Sequence, residues 1–209
     1  MQLHQFKKQV YNIKSKQLGG LEAQLKLAPK LRLQFDSTKI ADKNPREAAV
    51  LALFYPNIKN EMCFLLTERA TYKGTHSAQI SFPGGKIEPG DLHLKHTALR
   101  ETFEEVGVLP STVNILKKLT QTYIPPSNFL VTPFLGFTEK RPNFILNNEV
   151  ANVIEVLLAD LLDENTLTQI NITTSYMKNE NVPCFKINGY IVWGATAMML
   201  SEIKELLKL

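Results

Sequence analysis

Cysteine, tryptophan and long apolar runs are all scarce in this chain, which has two cysteines and one tryptophan in 209 residues. Cys63 and Cys184 lie far apart in apolar settings, "MCFLL" and "VPCFKI", and form no CxxC or Cys/His cluster. That excludes a disulfide framework and a zinc ribbon, and both are expected as buried thiols in a reducing compartment. No apolar run reaches the about 20 residues of a membrane span, and no signal peptide is visible. The expectation is a cytoplasmic protein without a membrane partner. Nucleic-acid signals are missing as well. The net charge is +4 and the pI near 9.0, but the lysines are scattered, and neither zinc-finger spacing nor an RNA-binding aromatic signature is present. Mild basicity of this kind suits an anionic small ligand.

What is present is ordinary globular material, 44% apolar and 21% charged, enough for one domain with an appendage. In "LHQFKKQVYNIKSKQL", Leu3, Phe6, Val10 and Ile13 recur at helical spacing, and Gly19-Gly20 ends the run. This helix packs either on the body or on a second subunit, the latter as a homodimer. The polar stretch "DSTKIADKNPRE" then marks the join between an appendage over 1–44 and a main domain over 45–209. "AAVLALFYP" and "MCFLLTER" flank "NIKN" as neighbouring strands do. "VTPFLGFTE" supplies a further strand, "VANVIEVLLADLL" a strand or helix, and "CFKINGYIVWG" a hairpin around Asn188-Gly189. "ATAMMLSEIKELLKL" reads as a closing amphipathic helix. Strands and helices interleave irregularly, which predicts an α/β (α+β) sandwich: a mixed β-sheet with flanking helices.

One segment breaks a local rule. Pro89-Gly90-Asp91 signals a helix start with Asp91 as N-cap, and Gly107 fits its C-terminal glycine. Leu92, Leu99, Phe103 and Val106 share a stripe expected to face the sheet, with Glu101, Glu104 and Glu105 opposite. Glu101 and Glu105 repel at i,i+4, and all three oppose the negative end of the helix dipole. Only Arg100 is at hand to offset them. The preceding Phe82-Pro83-Gly84-Gly85 brings bare backbone to the helix, a setting that suits phosphate oxygens or a metal-bound carbonyl. A glycine loop before an acidic face is what a hard divalent cation such as Mg²⁺ requires. The i,i+3 spacing of His93 and His96 suggests zinc, but they stand apart from that face and lack partner ligands, so solvated helix histidines are expected.

These residues resemble the Nudix box: Gly85, five residues, Asp91, eight residues, then "RETFEEVGV". Asp91 replaces the usual Glu, one residue is inserted before Arg100, and Thr102 stands where an apolar residue is usual. The first two departures are similar to the coenzyme A diphosphatase-like branch, as are "LLTERATYKGTHSAQISFPGG", "PPSNFLVTPFLGF", "NNEVANVIEVLLADLLD" and "IVWGATAMML". Ala78 replaces a glycine of the branch signature, and Gly74 stands where an arginine is common, so that Lys73 is the neighbouring cation.

The resemblance implies a Nudix fold and a Mg²⁺- or Mn²⁺-dependent hydrolase of a nucleoside diphosphate compound, coenzyme A or a derivative, yielding 3′,5′-ADP and a 4′-phosphopantetheine product. ADP-ribose or a dinucleotide is the alternative substrate, and a non-catalytic nucleotide-binding module the alternative role. Glu101, Glu104, Glu105 and the Gly85 carbonyl are the metal ligands it implies. Arg100 pairs with a carboxylate such as Asp91 or touches phosphate. Glu149 or a box glutamate such as Glu104 takes the proton from water. Arg69, Arg46 and Lys73 are the candidate substrate cations.

Overall fold

In the computed structural model, which describes residues 1–70 and 79–208, four short helices precede the first strand. They are α1 (Leu3–Ser15), α2 (Gly20–Leu25), α3 (Lys30–Leu33) and α4 (Ser37–Asp42). Then come β1 (Arg46–Pro56), β2 (Met62–Arg69), β3 (Ile80–Ser81), β4 (Gly84–Lys86) and α5 (Leu94–Val106). The middle of the chain forms β5 (Asn114–Lys118), β6 (Thr122–Ile124), β7 (Phe129–Phe137), β8 (Val150–Leu157) and α6 (Leu158–Leu162). It closes with β9 (Leu167–Ile172), β10 (Glu180–Ile187), β11 (Tyr190–Trp193) and α7 (Gly194–Leu207).

β1 organises the sheet because its apolar run tolerates burial on both faces. It pairs in parallel with β7, from Arg46 opposite Phe129 to Phe54 opposite Phe137, and antiparallel with β2 and β4. The order β3-β2-β1-β7-β5 is extended by β4 on β1, β8 on β2 and β6 on β7, giving an eight-stranded mixed sheet. A three-stranded sheet, β11-β10-β9, stands apart. Its hairpin turns at Asn188 and Gly189 (φ 53° and 80°), the pair of left-handed residues that a two-residue I′ loop needs.

Alternation along β1 divides the core. Ala49, Leu51, Leu53 and Tyr55 pack with Ala98 and Val106 of α5. Ala52 and Phe54 face the other way, into a cluster with Phe6 of α1 and Ala197, Leu200 and Ile203 of α7. The result is the expected mixed sheet between helical layers. Both cysteines are buried free thiols, as their settings predict. "VANVIEVLLADLL" turns out to be both elements, a strand running into a short helix.

Two expectations need correction. α7 is not amphipathic in use: residues from Thr196 to Leu207 are buried nearly all round, including Glu202 and Lys204. α2 and the chain before β6 cover the side that the sequence assigns to solvent. Glu202 there accepts from Gln24 Nε2 (3.0 Å), Thr120 Oγ1 (2.6 Å) and the backbone N–H groups of Gly20 and Thr120. α5 presents only part of the predicted stripe: Val106 is buried and Leu99 packs on the core as expected, but Phe103 turns outward and Leu92 lies ahead of the helix. Leu92 is 86% and Phe103 45% exposed, whereas Thr97, Ala98, Thr102, Glu105 and Val106 are buried. Small side chains let the helix approach β1 and β4 closely, and the Thr102 hydroxyl satisfies itself on the Ala98 carbonyl (2.7 Å).

Phe6 is fully buried and stacks on Phe54 and Phe137 at centroid distances of 5.8 and 5.3 Å. Truncation of such an aromatic costs about 3–5 kcal/mol. Phe6→Ala should therefore shift urea unfolding of the whole chain by that amount in one transition; an unchanged midpoint would show α1 to be a detachable appendage.

Candidate active site

Gly84 and Gly85 begin the site. A Cβ on Gly84, at φ 153°, would lie 2.3 Å from the Ala49 carbonyl oxygen, and one on Gly85 would lie 2.4 Å from the Glu101 carboxyl carbon. Only bare backbone fits between β1 and α5, and so the glycine strand comes to rest directly against the carboxylates. Gly107 (φ 75°) ends the helix just beyond them, its N–H donating to the Phe103 carbonyl at 2.8 Å, as its position predicts.

The start of the helix differs from expectation. His93, not Asp91, is the N-cap: its Nδ1 accepts from the His96 N–H at 3.1 Å. His96 in turn accepts from the Leu92 N–H and lies 3.6 Å from Asp91; both histidines remain accessible to solvent, as expected, but each is also tied into the helix start. Asp91 serves Arg100 instead. Its side chain is 1% exposed and takes Nε at 3.0 Å and Nη2 at 2.9 Å, a bidentate pair, with Thr97 Oγ1 and the Glu88 N–H completing its shell. These donors, Arg100 foremost, hold the Asp91 carboxyl well below the usual carboxylate range. Arg100 Nη1 also reaches Glu104 (2.9 Å) and Glu101 (3.1 Å), and Nη2 the Lys86 carbonyl (3.2 Å). One guanidinium thus links the loop before the helix to two of the three box glutamates.

Those glutamates are not equivalent. Glu104 is exposed, Glu101 is half-buried and Glu105 is buried, accepting from the Gly84 N–H at 3.2 Å. Burial pushes the Glu105 carboxyl up to about 7, partly opposed by nearby Arg69, and pushes Glu101 up as well. Arg69, ending β2, binds Glu149 through Nη2 at 3.0 Å, while its Nε is buried without a hydrogen-bond partner. The loop carrying Glu149 is pinned on both sides. The Asn147 N–H donates to the Glu105 carbonyl, and the Ala70 N–H to that of Glu149.

These groups line one cavity of about 620 Å³. Gly85, Arg69, Arg100, Glu101, Glu104, Glu105 and Glu149 all border it. Arg46 does not; it lies over the Phe129 ring (4.2 Å) and donates to the Ser127 carbonyl, both of which belong to the wall. Lys73 lies outside the described residues. The remaining wall was not foreseen: Tyr123, Phe129, Tyr176, Trp193, Met198 and Met199 form an apolar lining, joined by Arg32. Only an arginine set between leucines, in "KLRLQF", hinted at the last.

The donor set is all hard oxygen, which fits a hard divalent cation better than a soft one. Among the described residues, however, no three His, Cys, Asp or Glu side chains converge as a finished cage. An ion held by one or two carboxylates and completed by substrate phosphate matches such a half-built site.

The family described as "NUDIX domain" matches residues 44–173. Over 162 residues the chain is 35% identical to the uncharacterized Nudix hydrolase NudL of Yersinia pestis (strain Pestoides F), covering 77% of this chain and 79% of that protein. NudL of Yersinia pseudotuberculosis (serotype O:1b, strain IP 31758) is similar to the same degree. Among solved structures, a MutT/nudix family protein from Enterococcus faecalis superimposes with a TM-score of 0.53 at 14% identity, covering 83% of this chain and 70% of that one. At that identity the likeness is one of fold.

Two outcomes follow from the geometry. Asp91→Ala leaves Arg100 without its buried partner and should cost roughly 2–4 kcal/mol in chemical unfolding at pH 7. Because the folded carboxyl titrates below its unfolded value, this contribution is present at neutral pH and fades only as pH falls below about 4; a deficit independent of pH down to 3 would contradict the pairing. For Glu105 the sign is opposite. Its raised affinity for a proton means that a divalent ion must displace that proton, so Mn²⁺ affinity by calorimetry should rise up to about tenfold per pH unit below pH 7 and flatten above it. A flat profile from pH 5.5 to 8 would remove Glu105 from the ion's shell.

Proposed function

This chain belongs to the Nudix family and is a hydrolase of diphosphate bonds, and from that premise we propose that it cleaves coenzyme A or its derivatives to 3′,5′-ADP and 4′-phosphopantetheine products. One observation supports the chemistry above all: a buried carboxylate, two further glutamates and a glycine backbone share one cavity with an incompletely satisfied arginine. Nudix hydrolases need divalent metal ions, and Mg²⁺ or Mn²⁺ is the proposed choice here. Such an ion, once bound, neutralises phosphoryl oxygens and acidifies water. Glu101, Glu104, Glu105 and the Gly85 carbonyl are the groups proposed to hold it.

The chain's own residues account for the rest. Arg100 keeps Glu101 and Glu104 close to the glycine strand without itself leaving Asp91, so it positions ligands. Arg69, with Nε still unpartnered, is the proposed contact for a diphosphate oxygen, a role that releases Glu149 from their pair. Glu149 sits at the exposed mouth, where a freed carboxylate accepts a proton from attacking water. The branch resemblance supports coenzyme A over other nucleoside diphosphates through Asp91 and the inserted residue before Arg100. The apolar wall is compatible with it, since Phe129, Met198 and Met199 can pack against the apolar parts of such a substrate.

Glu104→Gln or Glu105→Gln, each checked for an unaltered melting temperature, should lower kcat by at least about a hundredfold. Rates within twofold of wild type would reject the metal-site assignment. Coenzyme A, ADP-ribose and diadenosine tetraphosphate should be assayed side by side with Mg²⁺ and Mn²⁺. Coenzyme A should show the highest kcat/KM, and ADP-ribose turned over equally well would sink that assignment.

A further inference from the structure

Arg32 is the only arginine among the first 45 residues, against eight lysines. It sits on the four-residue α3, ahead of the region that matches the family, and is 4% exposed. Burying a guanidinium costs several kcal/mol unless a carboxylate and a full set of hydrogen bonds compensate. Arg32 has neither. Its one hydrogen bond among the described residues runs from Nη1 to the Phe35 carbonyl (2.7 Å), and its Nε is buried with no partner. Nevertheless Arg32 is among the residues that line the cavity.

Burial lowers the pKa of Arg32, and among the described residues Tyr123 is the titratable group beside it. Tyr123 borders the same cavity. Its hydroxyl donates to Asn128 Oδ1 at 3.0 Å and its ring meets Phe35 at 5.3 Å, which fixes the wall beside the guanidinium. A cation kept out of water, short of partners and facing a ligand cavity has one economical explanation: the missing partner arrives with the ligand.

We infer that Arg32 is a specificity residue whose guanidinium pairs with a phosphate monoester on the substrate, distinct from the diphosphate that is cleaved. The inference rests on the proposed diphosphatase reading for the second phosphate's origin. The guanidinium edge matches two phosphate oxygens at once, and in a dry pocket such a charge-assisted pair is worth more than at a surface. A substrate without that phosphate leaves Arg32 buried and unpaired, which discriminates more sharply than added contacts do. The N-terminal segment would thus select the substrate, while the family region performs the cleavage.

The test pairs ligands that differ only in this group. Wild-type protein should bind 3′,5′-ADP at least about tenfold more tightly than 5′-AMP by calorimetry, and Arg32→Met should bind both alike. In turnover, coenzyme A should exceed dephospho-coenzyme A roughly 10- to 100-fold in kcat/KM. Arg32→Met should abolish that ratio while leaving dephospho-coenzyme A within about threefold of wild type. Arg32→Lys, which keeps the charge and loses the fork, should retain part of the preference. Because an unpaired buried cation is removed, Arg32→Met should melt no lower than wild type. Equal wild-type affinity for the two nucleotides overturns the inference, as does a preference that survives in Arg32→Met or a loss shared equally by both substrates. If coenzyme A is not turned over at all, the substrate reading fails, and the nucleotide-binding comparison still decides the role of Arg32.

Discussion

The closeness of α5 to the strand at Gly84 and Gly85 governs the rest of this site. A side chain at either glycine would collide with the Ala49 carbonyl or the Glu101 carboxylate. Without side chains there, the helix descends onto the sheet, and the residues between must be small. Ala98 and Thr102 take the contact and Phe103 is turned outward. Glu105 is drawn into the interface with them. A carboxylate buried in this way is costly as an anion, which is the source of its raised pKa. Packing and chemistry therefore share one cause.

Concentrating acids at the end of a helix needs a counterweight, and Arg100 provides it. The bidentate bond to Asp91 holds the guanidinium in place, and its remaining edge faces Glu101 and Glu104. The arrangement is asymmetric. Asp91 is buried and fully bonded, so Arg100 belongs to it first. The pairs to Glu101 and Glu104 face the cavity and are the weaker claim, since partly exposed ion pairs are worth little. A ligand can therefore compete for the two glutamates while the loop before the helix stays anchored.

The strands were legible because their signals are local. The apolar runs in "AAVLALFYP" and "MCFLLTER" admit few other readings, and Asn188-Gly189 names its own turn. The acidic box was legible for the opposite reason, as charges that no local rule explains. The orientation of α5 was only partly legible: Leu99 and Val106 face the core as expected, and Phe103 does not. Helical arithmetic assumes that the largest apolar residues face inward, and here a glycine strand on the partner element reverses the preference. The N-cap was not legible: Asp91 is a better capping residue than His93 by propensity, but it was already committed to Arg100 nine residues later. The buried face of α7 depended on a polar network with Gln24 and Thr120, residues far away in sequence.

The cavity itself draws on three stretches of chain, and this shapes how selectivity and catalysis divide. Residues 44–173 match the family and bring the glycine strand, the glutamates and Arg69. Tyr176, Trp193, Met198 and Met199 come after it, and Pro29, Leu31 and Arg32 before it. Groups proposed to handle a diphosphate must keep their mutual geometry to within fractions of an ångström, and most of them sit on the sheet and its closest helix. Groups that choose the remainder of a substrate have no such restriction. Phe6 locks α1 onto the sheet, Gln24 ties α2 to Glu202, and the Lys30 N–H at the start of α3 donates to Glu180, so that α3 is held along the cavity wall. A buried arginine placed there costs the empty protein stability, and only a ligand that carries the matching charge can recover it. The apolar wall alone would admit many nucleotides; a partner-seeking cation in it narrows the choice.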